Sequence, residues 1–421
     1  MTVTRRDFVK SGLATITMAA FTPKLRAALL PGDGAHNLII IQLIGANDTL
    51  NTFIPYTDPL YRSMRPNLAI PEASLLPVDS AIAFHPALSG LRSLYLEKKL
   101  AIVPHVGFPS LDRSHFRCED VWMTANEDPD SESRGWIGRW ADLYATDPHS
   151  PVLDVGFVSS TPRGLVASRV GPTCLTDLSK FKIDHGTSDA AEGALFEATV
   201  RSYYERRKSV AATEAIREAG VTAFSAMDLL ATLPPSPIAS YPSTSLGSAL
   251  ASVARILTQN IGSHIFWVTL GGFDTHANQV KSSSAGGALA GDHATLLADL
   301  SQSLTTFQKD IEARGLADRT IVFAWSEFGR RVSENASLGT DHGKAGSAFL
   351  IGNRIDGGIL GDPYDLKDLD DGDLRPHVDF RSLYQTLIRE WLGGDPEAVL
   401  GKRFENLEFF KPLERRRAAT R

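Results

Sequence analysis

The sequence predicts an α/β fold, and three observations carry that prediction. The run from Leu38 to Ile44 is almost continuously apolar and rich in β-branched residues, the pattern of a central strand covered on both faces. Runs of the same character recur in "KLAIVPHVG", "SHIFWVTL", "RTIVFAWS" and "SAFLIG". Between them lie segments whose apolar residues repeat at helical spacing, so strands and helices alternate along the chain.

The first thirty residues stand apart from this alternation. Arg5 and Arg6 precede Phe8, Val9 and Lys10, then a mildly apolar stretch from Leu13 to Phe21 and small residues around Ala27 and Ala28. This is the layout of an export signal, and the paired arginines point to the twin-arginine machinery as a partner and to a periplasmic or otherwise exported protein. The apolar stretch is far shorter than the roughly 20 residues needed to span a bilayer.

Residues 31–421 then read as one domain. After the first strand comes a looped excursion and the segment "HPALSGLRSLYLEKK", where Leu88, Leu91, Leu94 and Tyr95 mark a helix before the second strand. The region around 176–245 is rich in Ala, Glu and Arg and reads as a helical insertion, with ordinary crossover helices as the alternative. A helix over 246–260 follows, then a strand, then a helix from about 290 to 313. Its stripe is Leu296, Leu300, Leu304, Phe307 and Ile311, and Gly315 ends it. The glycine-rich "GNRIDGGILGD" reads as a tight reversal into a short hairpin. The last helix, in "FRSLYQTLIREWLGG", stops at paired glycines.

Composition narrows the classes. The chain has 43% hydrophobic and 22% charged residues and a net charge of −6, with no basic tract of the kind that binds nucleic acid. No second apolar run is long enough for a stable transmembrane segment. Cys118 and Cys174 are the only cysteines, and a disulfide between them is permitted by an oxidising compartment without being demanded.

Chemistry collects beyond the strands. Ligands in open α/β sheets gather at the carboxyl ends of strands, and here four successive ends carry carboxylates or imidazoles. They supply Asp48; then Asp112, Arg113, Ser114 and His115; then Asp274 and His276; then Glu327 and Arg330, with Asp341 and His342 shortly after. Oxygen and nitrogen donors without thiolate suit one or two divalent ions among Zn, Mn, Fe, Mg and Ca. Each residue keeps a second reading. Glu327 is a ligand or an ion-pair partner of Arg330 or Arg331. Asp341 and His342 are ligands, or the carboxylate orients an imidazole. Ser114 is a nucleophile or a helix cap. His115 is a catalytic candidate beside Ser114 and Arg113, or binds the ion directly.

Several stretches together resemble a known group: "IQLIGANDTLNTFIPY", "GFPSLDRSHFRCEDVW", "GGFDTHANQ", "SEFGRRVSENASLGTDHG" and "DFRSLYQTLIREWLG". The chain is similar to uncharacterised bacterial twin-arginine-exported (DUF1501-like) proteins placed in the alkaline phosphatase and sulfatase superfamily. That resemblance implies an alkaline-phosphatase-like core, a central mixed, mostly parallel sheet flanked by helices, with one or two divalent metals at the strand ends. It implies metal roles for Asp48, Asp274, His276, Glu327, Asp341 and His342, and places Ser114 where a hydroxyl nucleophile stands. The sequence departs from the superfamily in having "SEFG" where a carboxylate is followed by histidine. It also lacks the cysteine-centred sulfatase activation signature. The expected function is a metal-dependent periplasmic hydrolase of a phosphate or sulfate ester. Ser114 or a metal-activated water would attack, and Arg113 would bind the anionic substrate. The alternative is a non-catalytic, metal-stabilised envelope or ligand-binding protein.

Overall fold

The computed structural model describes residues 36–412 except 146–152, 170, 179–180, 184–185, 187, 206–210, 234–239, 260 and 283–286. The export signal expected in residues 1–30 lies outside the described residues.

The main sheet has nine strands: β1 (Asn37–Ile44), β2 (Leu100–Gly107), β3 (Asp154–Phe157), β4 (Thr173–Leu175), β5 (Ile265–Gly271), β6 (Thr320–Trp325), β7 (Gly346–Ile351), β8 (Gly358–Ile359) and β9 (Val378–Asp379). Their order is β8-β2-β7-β6-β1-β5-β3-β4, with β9 also pairing β2. β1 runs parallel to both β5 and β6, and β3 parallel to β4 and β5. Only β7 is antiparallel to its neighbours β2 and β6. The sheet is thus mixed and mostly parallel, as expected.

Strand alternation feeds two cores. Ile39, Ile41 and Leu43 pack on one face against α1 (Ser89–Leu96), α6 (Ser245–Gln259) and α7 (Asp292–Ala313). Leu38 and Ile40 pack on the other against α2 (His115–Thr124), α3 (Trp136–Tyr144) and α8 (Phe380–Thr386). That double coverage is why the strand runs are apolar throughout. α4 (Ala190–Glu205) and α5 (Ala211–Ala231) occupy the region read as an insertion, and α5 and the residues after it send Ala226, Leu230 and Leu233 into the first core.

Two readings are corrected. The glycine-rich segment after β7 is not a hairpin: β7 and β8 lie on opposite sides of β2, β7 antiparallel and β8 parallel to it. In α7 the buried leucine of the first turns is Leu297, while Leu296 is only partly buried. Cys118 and Cys174 are both free thiols.

The topology decides where polar groups meet. β1, β2, β5 and β6 point the same way, so the loops after them emerge along one edge. β7 starts at that edge, which brings the residues before Gly346 to the same place.

Candidate metal centre

The loops at this edge are held by a buried cation. Arg330, with its side chain fully buried, donates from Nε to the carbonyl of Ala46 and from Nη1 to that of Thr340. Its Nη2 donates to the carbonyls of Gly45 and Phe273 and to Asp274 Oδ1, the last at 2.6 Å. One guanidinium thereby ties together the loops after β1 and β5 and the strand-like segment where Arg330 bridges His342. The loops approach so closely that Gly45 has no room for a side chain: at φ +110°, a Cβ there would stand 2.4 Å from the Asp274 nitrogen.

Four side-chain atoms converge at this point. His342 Nε2 lies 3.0 Å from His115 Nε2 and 2.9 Å from His276 Nε2. Asp274 Oδ1 lies 3.5 Å from His115 Nε2, 3.1 Å from His276 Nε2 and 3.2 Å from His342 Nε2. Of these, His115, Asp274 and His342 form a group with metal-ligand spacing.

The far side of each ring fixes its proton. His115 Nδ1 is 2.6 Å from Glu327 Oε1, His276 Nδ1 is 3.1 Å from Asp341 Oδ1, and His342 Nδ1 is 2.9 Å from the Arg113 carbonyl. Carboxylates and carbonyls accept, so each Nδ1 carries a hydrogen, and in the neutral ring Nε2 presents a lone pair. The Nε2 atoms of His115 and His342 and the Asp274 oxygen stand 3.0–3.5 Å from one another, close enough for a metal ion or a shared proton to hold them together. Tetrahedral bonds of about 2.0–2.1 Å would put ligand atoms about 3.3 Å apart, and the separations within the group of His115, Asp274 and His342 bracket that edge. The donor set fits a metal ion.

The electrostatics of the three titrating groups differ. The Glu327 hydrogen bond raises the His115 pKa against the effect of burial, while burial lowers that of His342. Partial burial pushes the Asp274 carboxyl up, but the Arg330 hydrogen bond and charge outweigh it and hold the carboxyl at about 2. The centre faces solvent, with the Asp274 and His276 side chains 49% and 45% exposed.

The remaining sequence candidates take other positions. Asp48 is fully buried, pairs with Arg65 at 2.6 Å, accepts from Gln279 and caps the one-turn helix Thr49–Thr52 through the Leu50 nitrogen. Its oxygens are therefore committed to the protein, away from the converging atoms. Glu327 and Asp341 meet imidazoles, not the converging point. The cation expected to pair with Glu327, Arg330, pairs with Asp274 instead. The Arg113 guanidinium is held by Asp371 and Asp373. Ser114 stands at the N-terminus of α2, but its hydroxyl makes no capping bond. His115, read first as catalytic, is one of the converging rings. Sequence reasoning did not single out Arg65 or Gln279, and no local pattern around either signals a role.

A mixed α/β sheet with an imidazole-rich cluster at its strand ends defines an α/β protein with a candidate metal centre. The chain belongs to the DUF1501 family of proteins of unknown function, whose profile matches residues 98–405, a span that holds all four converging residues. No curated protein matches the sequence significantly. Similar solved structures include the zinc complex of the C-terminal periplasmic domain of EptC from Escherichia coli, at 8% identity and TM-score 0.39, covering 77% of this chain and 74% of that one. Another is a protein in the alkaline phosphatase superfamily from Vibrio parahaemolyticus, at 10% identity and TM-score 0.38, covering 90% and 72%. The PsFucS1 sulfatase from Pseudoalteromonas sp. matches at 9% identity and TM-score 0.39, covering 91% and 71%. No helix of the described residues is long and apolar enough to cross a membrane.

Proposed function

We propose that the protein is an exported metal-dependent hydrolase of a phosphate or sulfate ester, with one ion held by His115, His342 and Asp274 and His276 standing beside them. The observation that carries this reading is the convergence of the His115 and His342 Nε2 atoms with an Asp274 carboxylate oxygen on a solvent-facing edge. Imidazole donors favour Zn, Mn or Fe over Mg and Ca, which prefer oxygen donors. The carboxylates that a second ion would need are committed: Asp48 to Arg65 and Glu327 to His115. When bound, the ion supplies Lewis acidity toward an anionic ester. Ser114, beside His115 and without a capping bond, is the candidate nucleophile. Arg113 binds substrate oxygens only by exchanging Asp371 and Asp373 for them. Export rests on the paired arginines near the start of the chain.

The test is metal analysis of the purified protein together with a panel of phosphate and sulfate esters. Hydrolysis is expected to fall to background on chelation and in His342→Ala. Activity that survives removal of the ion would overturn the hydrolase reading.

One observation favours the rival, a structural ion in an envelope or ligand-binding protein: His276 Nε2 stands 2.9 Å from His342 Nε2, and a fourth protein donor drawn onto the ion would close the site. In that case chelation unfolds the protein and no ester is turned over.

A further inference from the structure

We infer that the stacked imidazoles of His105 and His377 form an acid-sensitive clasp at the base of the loop 361–376, closed while the rings are neutral and loosened when they take up protons. The loop leaves β2 at Leu360, whose nitrogen donates to the Ile102 carbonyl. It returns at His377, whose nitrogen donates to the His105 carbonyl. Its tip carries Asp370, Asp371 and Asp373, which hold Lys344 and Arg113. Whatever loosens the base therefore acts on the cover over these two cations. The clasp does not depend on the metal reading.

β2 is distorted to deliver His105. Its pairing with β7 slips between Val103 and Val106, so Pro104 and His105 stand opposite the single residue Ser347. His105 there takes φ +55°, a left-handed conformation that residues with a side chain rarely adopt. Such a bulge re-aims a side chain. The buried ring stacks on that of His377 with centroids 4.4 Å apart and planes 14° from parallel. Its Nδ1 lies 3.0 Å from the Arg375 carbonyl oxygen and its Nε2 3.2 Å from that of Pro363, so both ends of the loop meet on one imidazole. A neutral ring has one N–H and binds one of the two carbonyls at a time.

A proton on His105 adds a second donor but buries a charge beside another imidazole. Burial is the larger effect, and with His377 it holds the pKa of the ring below 6.5 against the pull of the two carbonyls. An opened base that hydrates the ring removes this depression, so protons favour the open base. Closure is fully supported above 6.5 and weakens by up to about tenfold per pH unit as pH falls below it, until the closed ring is itself protonated. Asp362 and Asp368 each lie 3.9 Å from a nitrogen of His377, but both are exposed and attract it weakly. The Tyr364 ring tilts against His105, and burial pushes its hydroxyl up to about 12, so it stays neutral.

Hydrogen exchange read by mass spectrometry on the full chain tests this, comparing 361–377 with the buried strand β6 between about pH 7.5 and about pH 5, with rates corrected for the intrinsic pH dependence of exchange. In wild type the protection of 361–377 is expected to fall by about tenfold or more relative to β6, starting below 6.5. His105→Asn cannot titrate and suits the left-handed backbone, so its response should vanish. His377→Gln removes the like charge and should respond less. Acid release of an ion from the centre acts on all three proteins alike, so the difference between wild type and variants isolates the clasp. Wild-type protection that is the same at both ends of the range overturns the inference, as does a His105→Asn protein that keeps the full response. If His105→Asn does not fold, His377→Gln decides, and an undiminished response there overturns it.

Discussion

At Glu327 a buried carboxylate serves an imidazole. Its Oε1 accepts from His115 Nδ1 and from the Gly45 nitrogen, and its Oε2 accepts from the Ser326 hydroxyl. Glu327→Gln keeps the shape but weakens the acceptor, so metal affinity should fall by about 10–100-fold. Competition with a chromophoric chelator measures this, and an unchanged affinity would count against the orienting role. The sequence announces that a carboxylate leaves β6 at its end. It does not say what the carboxylate meets, because His115 arrives from 212 residues away. Asp48 carries the same lesson. Burial raises its pKa, but the charge and hydrogen bond of Arg65, with His293 and Gln279, outweigh burial and leave it below 3.8. A lowered carboxyl stabilises the fold above its unfolded pKa and loses that contribution as pH falls through the folded value. Arg65→Met, which strands the buried carboxylate, should cost about 3–5 kcal/mol near neutral pH. Urea titrations over a pH series should show the gap between variant and wild type narrowing as pH falls, starting where the stranded, burial-raised carboxyl of the variant takes up its proton. A gap that is constant into strong acid would refute the ion-pair account.

Elements differ in how much of themselves they display. The strands were legible because burial on both faces forces nearly continuous apolar sequence, as in β1 and β6. α7 was legible from its stripe, since Leu300, Leu304, Phe307 and Ile311 all reach the core. The segment after β7 was not, because glycines announce a change of direction without naming the strand that receives the chain. The loops after β1 and β5 pose a sharper case: each reads as an ordinary polar turn, and only their contact explains Gly45. Gly45→Ala must push a Cβ against the Asp274 nitrogen and the Phe273 carbonyl carbon at a backbone angle that favours glycine. The expected loss is about 1–3 kcal/mol, and it should come with a lower metal content because Asp274 moves. Thermal melts and metal analysis on the same preparation check both. A stable, fully loaded Gly45→Ala would show that the contact is dispensable.

Across the whole molecule, the centre spans more of the sheet than any one loop. β2, which leads to His115, and β5, which leads to Asp274 and His276, are separated by β7, β6 and β1. At about 4.8 Å per strand, their loops must reach inward from about 19 Å apart. They meet above β1 and β6, whose own loops supply Gly45, Glu327 and Arg330 as the support beneath. This meeting could not be read from chain order, because it depends on a strand order in which sequence neighbours are scattered. It also sets a global expectation. An ion bound by loops from both halves of the sheet binds the folded chain and not the unfolded one. At a free concentration 100 times its dissociation constant it adds about 2.7 kcal/mol. For a chain of this size, where the shift per kcal/mol is smaller than the about 2–4 °C of shorter domains, that raises the melting midpoint by a few degrees, and a chelator should reverse it. Without an ion, His342 Nε2 faces the Nε2 atoms of His115 and His276 at 3.0 and 2.9 Å, so His342→Ala should be insensitive to zinc and no less stable than wild type when both are held in chelator. Melting curves of the two proteins with zinc and with chelator test this directly. If zinc left the wild-type midpoint where the chelator put it, the rings would be held by protons and not by a metal.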